Sequence, residues 1–130
     1  MKKKTLIIAI VVIAVLAIVL ALVLTKDKEK EIGSGKTTVY IDVVQKDGAT
    51  HKYICHTDAD NLQDVLLETG FVEGEIAQYG LYIKKVEGVV ADYDIDASYW
   101  ALKKDGEDMM TGAGDEKIAD GNHYSLVYTK

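Results

Sequence analysis

An unbroken apolar run from Leu6 to Leu24 constrains this chain more than any other feature. Its 19 residues, at ~1.5 Å each, form a helix of roughly 28 Å, close to the ~30 Å hydrocarbon core of a bilayer. Lys2, Lys3 and Lys4 precede the run without an acid among them. After it, Lys26, Lys28 and Lys30 alternate with Asp27, Glu29 and Glu31. A cleaved secretory signal has a shorter apolar centre and small residues at its cleavage site. This run is longer, and Val19 to Leu24 offers no A-x-A pattern. The expectation is an uncleaved signal-anchor over residues 1–25, a linker over 26–36 and an ectodomain over 37–130. A cleaved signal would leave the same compartment without the tether. The short N-terminus and its lysines predict a single-pass protein of the cell membrane, with the domain on the extracytoplasmic side.

From Lys36 to Lys130 the chain holds nine lysines, no arginine and eighteen acidic residues. Such a surface repels phosphate, which argues against a nucleic-acid partner. The only cysteine is Cys55, so no internal disulfide forms. The domain is held by its core, which a unit of this length sustains without staples.

The remaining pattern predicts an α+β fold: a mostly antiparallel sheet with one packed helix, behind the N-terminal transmembrane helix. Val39, Ile41 and Val43 share one face of a strand in TTVYIDVVQ. Asp47-Gly48 marks a turn, and Thr50 to His56 returns as the second strand of a hairpin. Thr57 and Asp60 suggest a helix start; Leu62, Val65, Leu66 and Thr69 follow at helical spacing, and Gly70 stops a helix of about three turns. GFVEGEIAQYG reads as a loop or irregular edge, LYIKKVEG as a strand, and VVADYDID is ambiguous. SYWALKKDGE is a strand entering a turn, and Tyr124, Leu126 and Tyr128 alternate in the last strand.

Asp92, Asp94 and Asp96 invite a metal reading. In an extended chain they share one face, where three carboxylates either face water, meet lysines or hold a cation such as calcium or zinc. An EF-hand loop counted from Asp92 fails, because Ala97 stands at its sixth position and Lys103 at its twelfth. Asp105 and Asp115 are possible additions to this set. His51, Cys55, His56 and His123 show no metal-ligand spacing, and Cys55 reads as a small buried hydrophobe. Ser98 and Ser125 lack any motif for nucleophilic catalysis, and Gly112 to Asp115 lacks the strand-to-helix context of a phosphate loop. No enzyme is expected. The aromatic set, eight tyrosines with Phe71 and Trp100, is the strongest binding feature. Tyrosines at loop edges, with Met109 and Met110, suit an adaptable apolar platform.

The order of these motifs, NLQDVLLETG, YGLYIKKVEG, YWALKKDGE, a Gly loop and DGNHYSLVY, resembles the transcobalamin C-terminal-like domain family of bacterial surface proteins. The resemblance covers about Lys36 to Lys130 and implies a β-grasp-like arrangement. In the family's animal vitamin B12 carriers this domain closes over the corrinoid from one side, and a helical domain holds the other. No such helical partner is read here. The resemblance implies a ligand-binding module with a corrinoid as candidate ligand and no required cofactor. Tyr79, Tyr82, Met109 and Met110 would supply apolar contact, and Gly112 and Gly114 close backbone approach. Trp100 would be mainly packing. Two other classes stand beside this one: a divalent-cation module on Asp92, Asp94 and Asp96, and a structural or adhesion module that binds another surface protein.

Overall fold

The computed structural model describes residues 29–78 and 80–130. The Leu6–Leu24 run and Tyr79 lie outside the described residues. Among the described residues no helix is long and apolar enough to cross a membrane.

The predicted hairpin forms from β2 (Thr37–Val44) and β3 (Thr50–Thr57). Val39, Ile41 and Val43 are fully buried, as the period-two pattern requires. The last strand, β9 (His123–Thr129), buries Tyr124 and Leu126 beside them. These two buried faces lie adjacent at the centre of a six-stranded sheet.

That central pair is parallel, with Ile41 opposite Tyr124 and Val43 opposite Leu126. The sheet is therefore mixed, with three of its five strand pairings antiparallel, as expected, and two parallel. A parallel pair needs a long crossover, and everything between β3 and β9 supplies it. The strand order is β1-β3-β2-β9-β7-β8, where β7 is Tyr99–Lys104 and β8 is Glu107–Asp108. The outermost strand β1 (Lys30–Ile32) runs parallel to β3, within the stretch that sequence alone assigns to the linker. Ile32 packs against the core, which is the reason for its recruitment.

A second sheet of three strands, β4 (Val72–Ala77), β5 (Gly80–Val86) and β6 (Val89–Val90), covers part of the inner face. The expected loop at GFVEGEIAQYG is thus largely strand. A bulge opposite Glu73 and Gly74 shifts the register of β5. It turns Lys84 and Lys85 outward in succession and returns Val86 to the core, fully buried.

Helix α1 (Leu62–Glu68) lays Leu62, Val65 and Leu66 on the core. It spans two turns rather than three. Its cap is Asn61, whose side chain accepts the Asp64 N–H at 2.9 Å. Thr57, the expected start signal, is instead buried and donates to Glu68 at 2.8 Å. Gly70 takes φ +80° just past the end, as a helix stop requires. A second, one-turn helix α2 (Tyr93–Asp96) occupies the ambiguous stretch before β7.

Candidate functional site

The two sheets do not close completely on one another. β8 pairs only with Lys103 and Lys104, so among the described residues Tyr99 to Leu102 of β7 have no strand neighbour on that side. β6 pairs only with Lys85 and Val86, so the first half of β5 is likewise open on the side away from β4. Between these two edges lies a cleft of about 320 Å³. Its walls are Leu81, Tyr82 and Ile83 on one side and Tyr99, Trp100 and Leu102 on the other. Met109, Gly112 and Ala113 close one end, and Asp108 is the carboxylate on the rim.

The loop at that end is positioned by α1. The helix's first N–H groups need acceptors, and the loop supplies them: Leu62 N–H donates to Glu116 O at 2.9 Å and Gln63 N–H to Ala113 O at 3.0 Å. The Gln63 side chain reaches across and accepts the Leu81 N–H at 3.1 Å. Gly114 sits against Gln63, where a Cβ would come within 2.8 Å of its Oε1. Gly80 packs on the same amide and on Gly114. One glutamine thus ties the start of β5 to the glycine loop.

The expected site residues divide. Tyr82, Met109 and Gly112 line the cleft together. Met110 is 96% exposed and borders a neighbouring hollow with Lys104 and Glu116. Gly114 serves loop packing rather than the cleft lining. Tyr79 falls outside the described residues. Sequence reasoning missed Tyr99 and Gln63. Trp100, expected to be mainly packing, is 95% buried and also faces the cleft, donating from Nε1 to Val89 O at 3.1 Å. Tyr128 meets its ring edge-on at 5.5 Å. Tyr99 is half-exposed and carries Tyr93 against it at 6.3 Å, so the aromatic surface extends from the cleft onto α2.

Asp92, Asp94 and Asp96 are not displayed along an extended strand. Asp92 caps α2 by accepting the Asp94 N–H at 3.0 Å. Asp96 accepts the Ser98 hydroxyl and N–H, and these bonds hold its carboxyl below the usual range, with Lys130 at 3.7 Å adding to the effect. Two of the three carboxylates are thus committed to local backbone and Ser98. Among the described residues no three His, Cys, Asp or Glu side chains gather as a metal-ligand set. The histidines are likewise apart. His51 meets Glu87, His56 meets Thr38 and Glu31, and His123 meets Asp42. Burial pushes the Cys55 thiol up to about 11, with Glu68 contributing, which makes it an inert core group.

Fold and cleft together define a small mixed-sheet α+β domain with an apolar, ligand-sized hollow where its two sheets meet. The chain belongs to the family described as Domain of unknown function (DUF4430), whose profile matches residues 59–129. No curated protein matches it. A solved structure from Ruminococcus gnavus ATCC 29149, of a candidate metal-binding protein, has a TM-score of 0.69 at 29% identity. It covers 73% of this chain and 98% of that one. Haptocorrin in complex with Cbi has a TM-score of 0.59 at 22% identity, over 72% of this chain and 25% of that one. At that identity the likeness concerns the fold alone.

Proposed function

We propose that this chain is a non-enzymatic binding domain, held on the extracytoplasmic face of the membrane by Leu6–Leu24, that grips one edge of a flat organic ligand of the corrinoid type. The observation that carries the reading is the β5–β7 cleft, which gathers Tyr82, Met109 and Gly112 with Tyr99 and Trp100. At about 320 Å³ it lies at the low end of ligand pockets, ~300–1,000 Å³, which suits an edge rather than a whole planar ring. Apolar walls with few polar groups suit stacking and dispersion contact. The ligand class rests on the sequence resemblance to the transcobalamin C-terminal-like family, and the fold shared with haptocorrin is compatible with it. The order β3-β2-β9-β7, with its central parallel pair and α1 on one face, supports a β-grasp-like domain of transcobalamin C-terminal type.

Thermal unfolding with cobinamide and cobalamin tests the reading. Ligand at 100 times its dissociation constant adds about 2.7 kcal/mol. Tyr82→Ala with Met109→Ala should remove that gain while leaving the fold intact. Unchanged binding by the double variant would displace the site from this cleft. A second reading, cation binding, is favoured by the Ruminococcus gnavus likeness. A calcium or zinc shift abolished by Asp92→Asn, Asp94→Asn and Asp96→Asn would establish it. For the tether, membrane fractionation with external protease should release the domain and leave the run behind.

A further inference from the structure

The β5 wall of the cleft is fastened at its far end by a cluster that the binding reading does not use. β5 and β6 are joined by the two-residue turn Glu87-Gly88, and both residues have positive φ, +50° and +80°. Such turns favour Asn-Gly or Asp-Gly. A glutamate in the left-handed region is strained and persists only when its surroundings over-determine it.

The surroundings do so here. The Glu87 carboxylate is 17% exposed and receives three side chains from the other sheet's hairpin. Gln45 Nε2 donates at 3.0 Å, the Tyr53 hydroxyl donates to Oε2, and His51 Nδ1 lies 2.9 Å from Oε2. The Glu87 N–H donates to Phe71 O at 2.8 Å, and the Phe71 ring packs on Tyr53 at 4.4 Å. Among the described residues, His51 and Tyr53 on β3 are the titratable groups that bond to Glu87, and Gln45 just beyond β2 is its neutral donor. Immediately after the turn, Val89 O accepts the Trp100 indole N–H. The fastening is therefore one hydrogen bond away from the cleft.

We propose that Glu87 is a positioning residue: its carboxylate latches the β5–β6 hairpin onto β3 and so holds the β5 wall and Trp100 in place, and neutralising it loosens the cleft without unfolding the six-stranded sheet. This rests on the cleft being the binding site, but its test uses no ligand. The acidity of Glu87 supports the direction. Burial raises its pKa, and the bonds from Tyr53, His51 and Gln45 more than offset this, leaving it below the ordinary carboxylate value. The latch is therefore complete above the unfolded-state range and is lost as pH falls through the folded value.

Trp100 is the only tryptophan, so its emission reports on the latch directly. The full chain should be acidified while Trp100 emission and far-UV circular dichroism are followed together. The emission is expected to shift red in a step below the carboxylate range while the dichroism holds. Glu87→Gln should be red-shifted already at pH 7 and lack the step. Tyr53→Phe, which removes one donor and keeps the carboxylate, should move the step to higher pH. An identical step in wild type and Glu87→Gln overturns the proposal, as does emission that changes only together with the dichroism. If Glu87→Gln does not fold, Tyr53→Phe and His51→Gln decide, and unmoved midpoints in both refute it.

Discussion

The two walls of the cleft are built differently. β7 is zipped to β9 along its whole length, from Tyr99 opposite Thr129 to Lys104 opposite Tyr124. Its inner face carries Trp100 into the common core. β5 belongs to a small sheet whose outer strand β4 is exposed from Glu73 to Ala77. Beyond its pairing with β4 and β6, it is held by Ile83 and Val86 in the core with Leu81 packed against it, by Gln63 at its start and by Glu87 past its end. One wall is continuous packing and the other is suspended between polar fastenings. A wall of this second kind is the one expected to open locally first, because elements with fewer buried contacts have lower local stability.

The largest expected effect tests the fixed wall. Trp100→Ala removes a buried aromatic and should cost about 3–5 kcal/mol, read as a lowered midpoint in urea. A loss under 1 kcal/mol would mean that β7 is not the rigid side. Next comes the suspended wall. A Cβ at Gly74 would stand 2.0 Å from the Tyr82 carbonyl oxygen, so Gly74→Ala must displace backbone at the bulge. The expected cost is about 1–3 kcal/mol, with hydrogen exchange accelerated in β4 and β5 but not in β7. Exchange rising equally in both walls would erase the distinction. Asp92→Ala removes the α2 cap at the foot of β7 and should cost about 1 kcal/mol. Tyr82→Ala should change stability by under about 0.5 kcal/mol, since its side chain is half-exposed. A large loss there would make Tyr82 a packing residue and remove it from the binding surface.

What was legible in the sequence follows the same division. β2, β3, α1 and β9 announce themselves because each buries one periodic face, as Val39, Ile41 and Val43 do. β4 does not, because Glu73, Glu75 and Ile76 all face solvent and leave no apolar period to read. β1 is three residues long, too short for any pattern. DYDID alternates like a strand, but two of its three aspartates are spent, Asp92 capping a helical turn and Asp96 binding Ser98. Of the cleft lining, Tyr82, Met109 and Gly112 were named from residue type, loop position and the family resemblance. Gln63 and Glu87 act only through partners distant in sequence, the Leu81 N–H and the Gln45–His51–Tyr53 set. The one local signal for Glu87 was a glutamate standing where a hairpin turn favours asparagine or aspartate.

The place of β1 has a mechanical consequence. It is the opposite margin of the sheet from β7, four strand spacings or about 19 Å away. Running parallel to β3, it meets tension along its own axis in shear, so that the pairs at Lys30, Glu31 and Ile32 share the load rather than peel in turn. A force applied at Lys30 is met at that margin, four strand spacings from the cleft wall formed by β7.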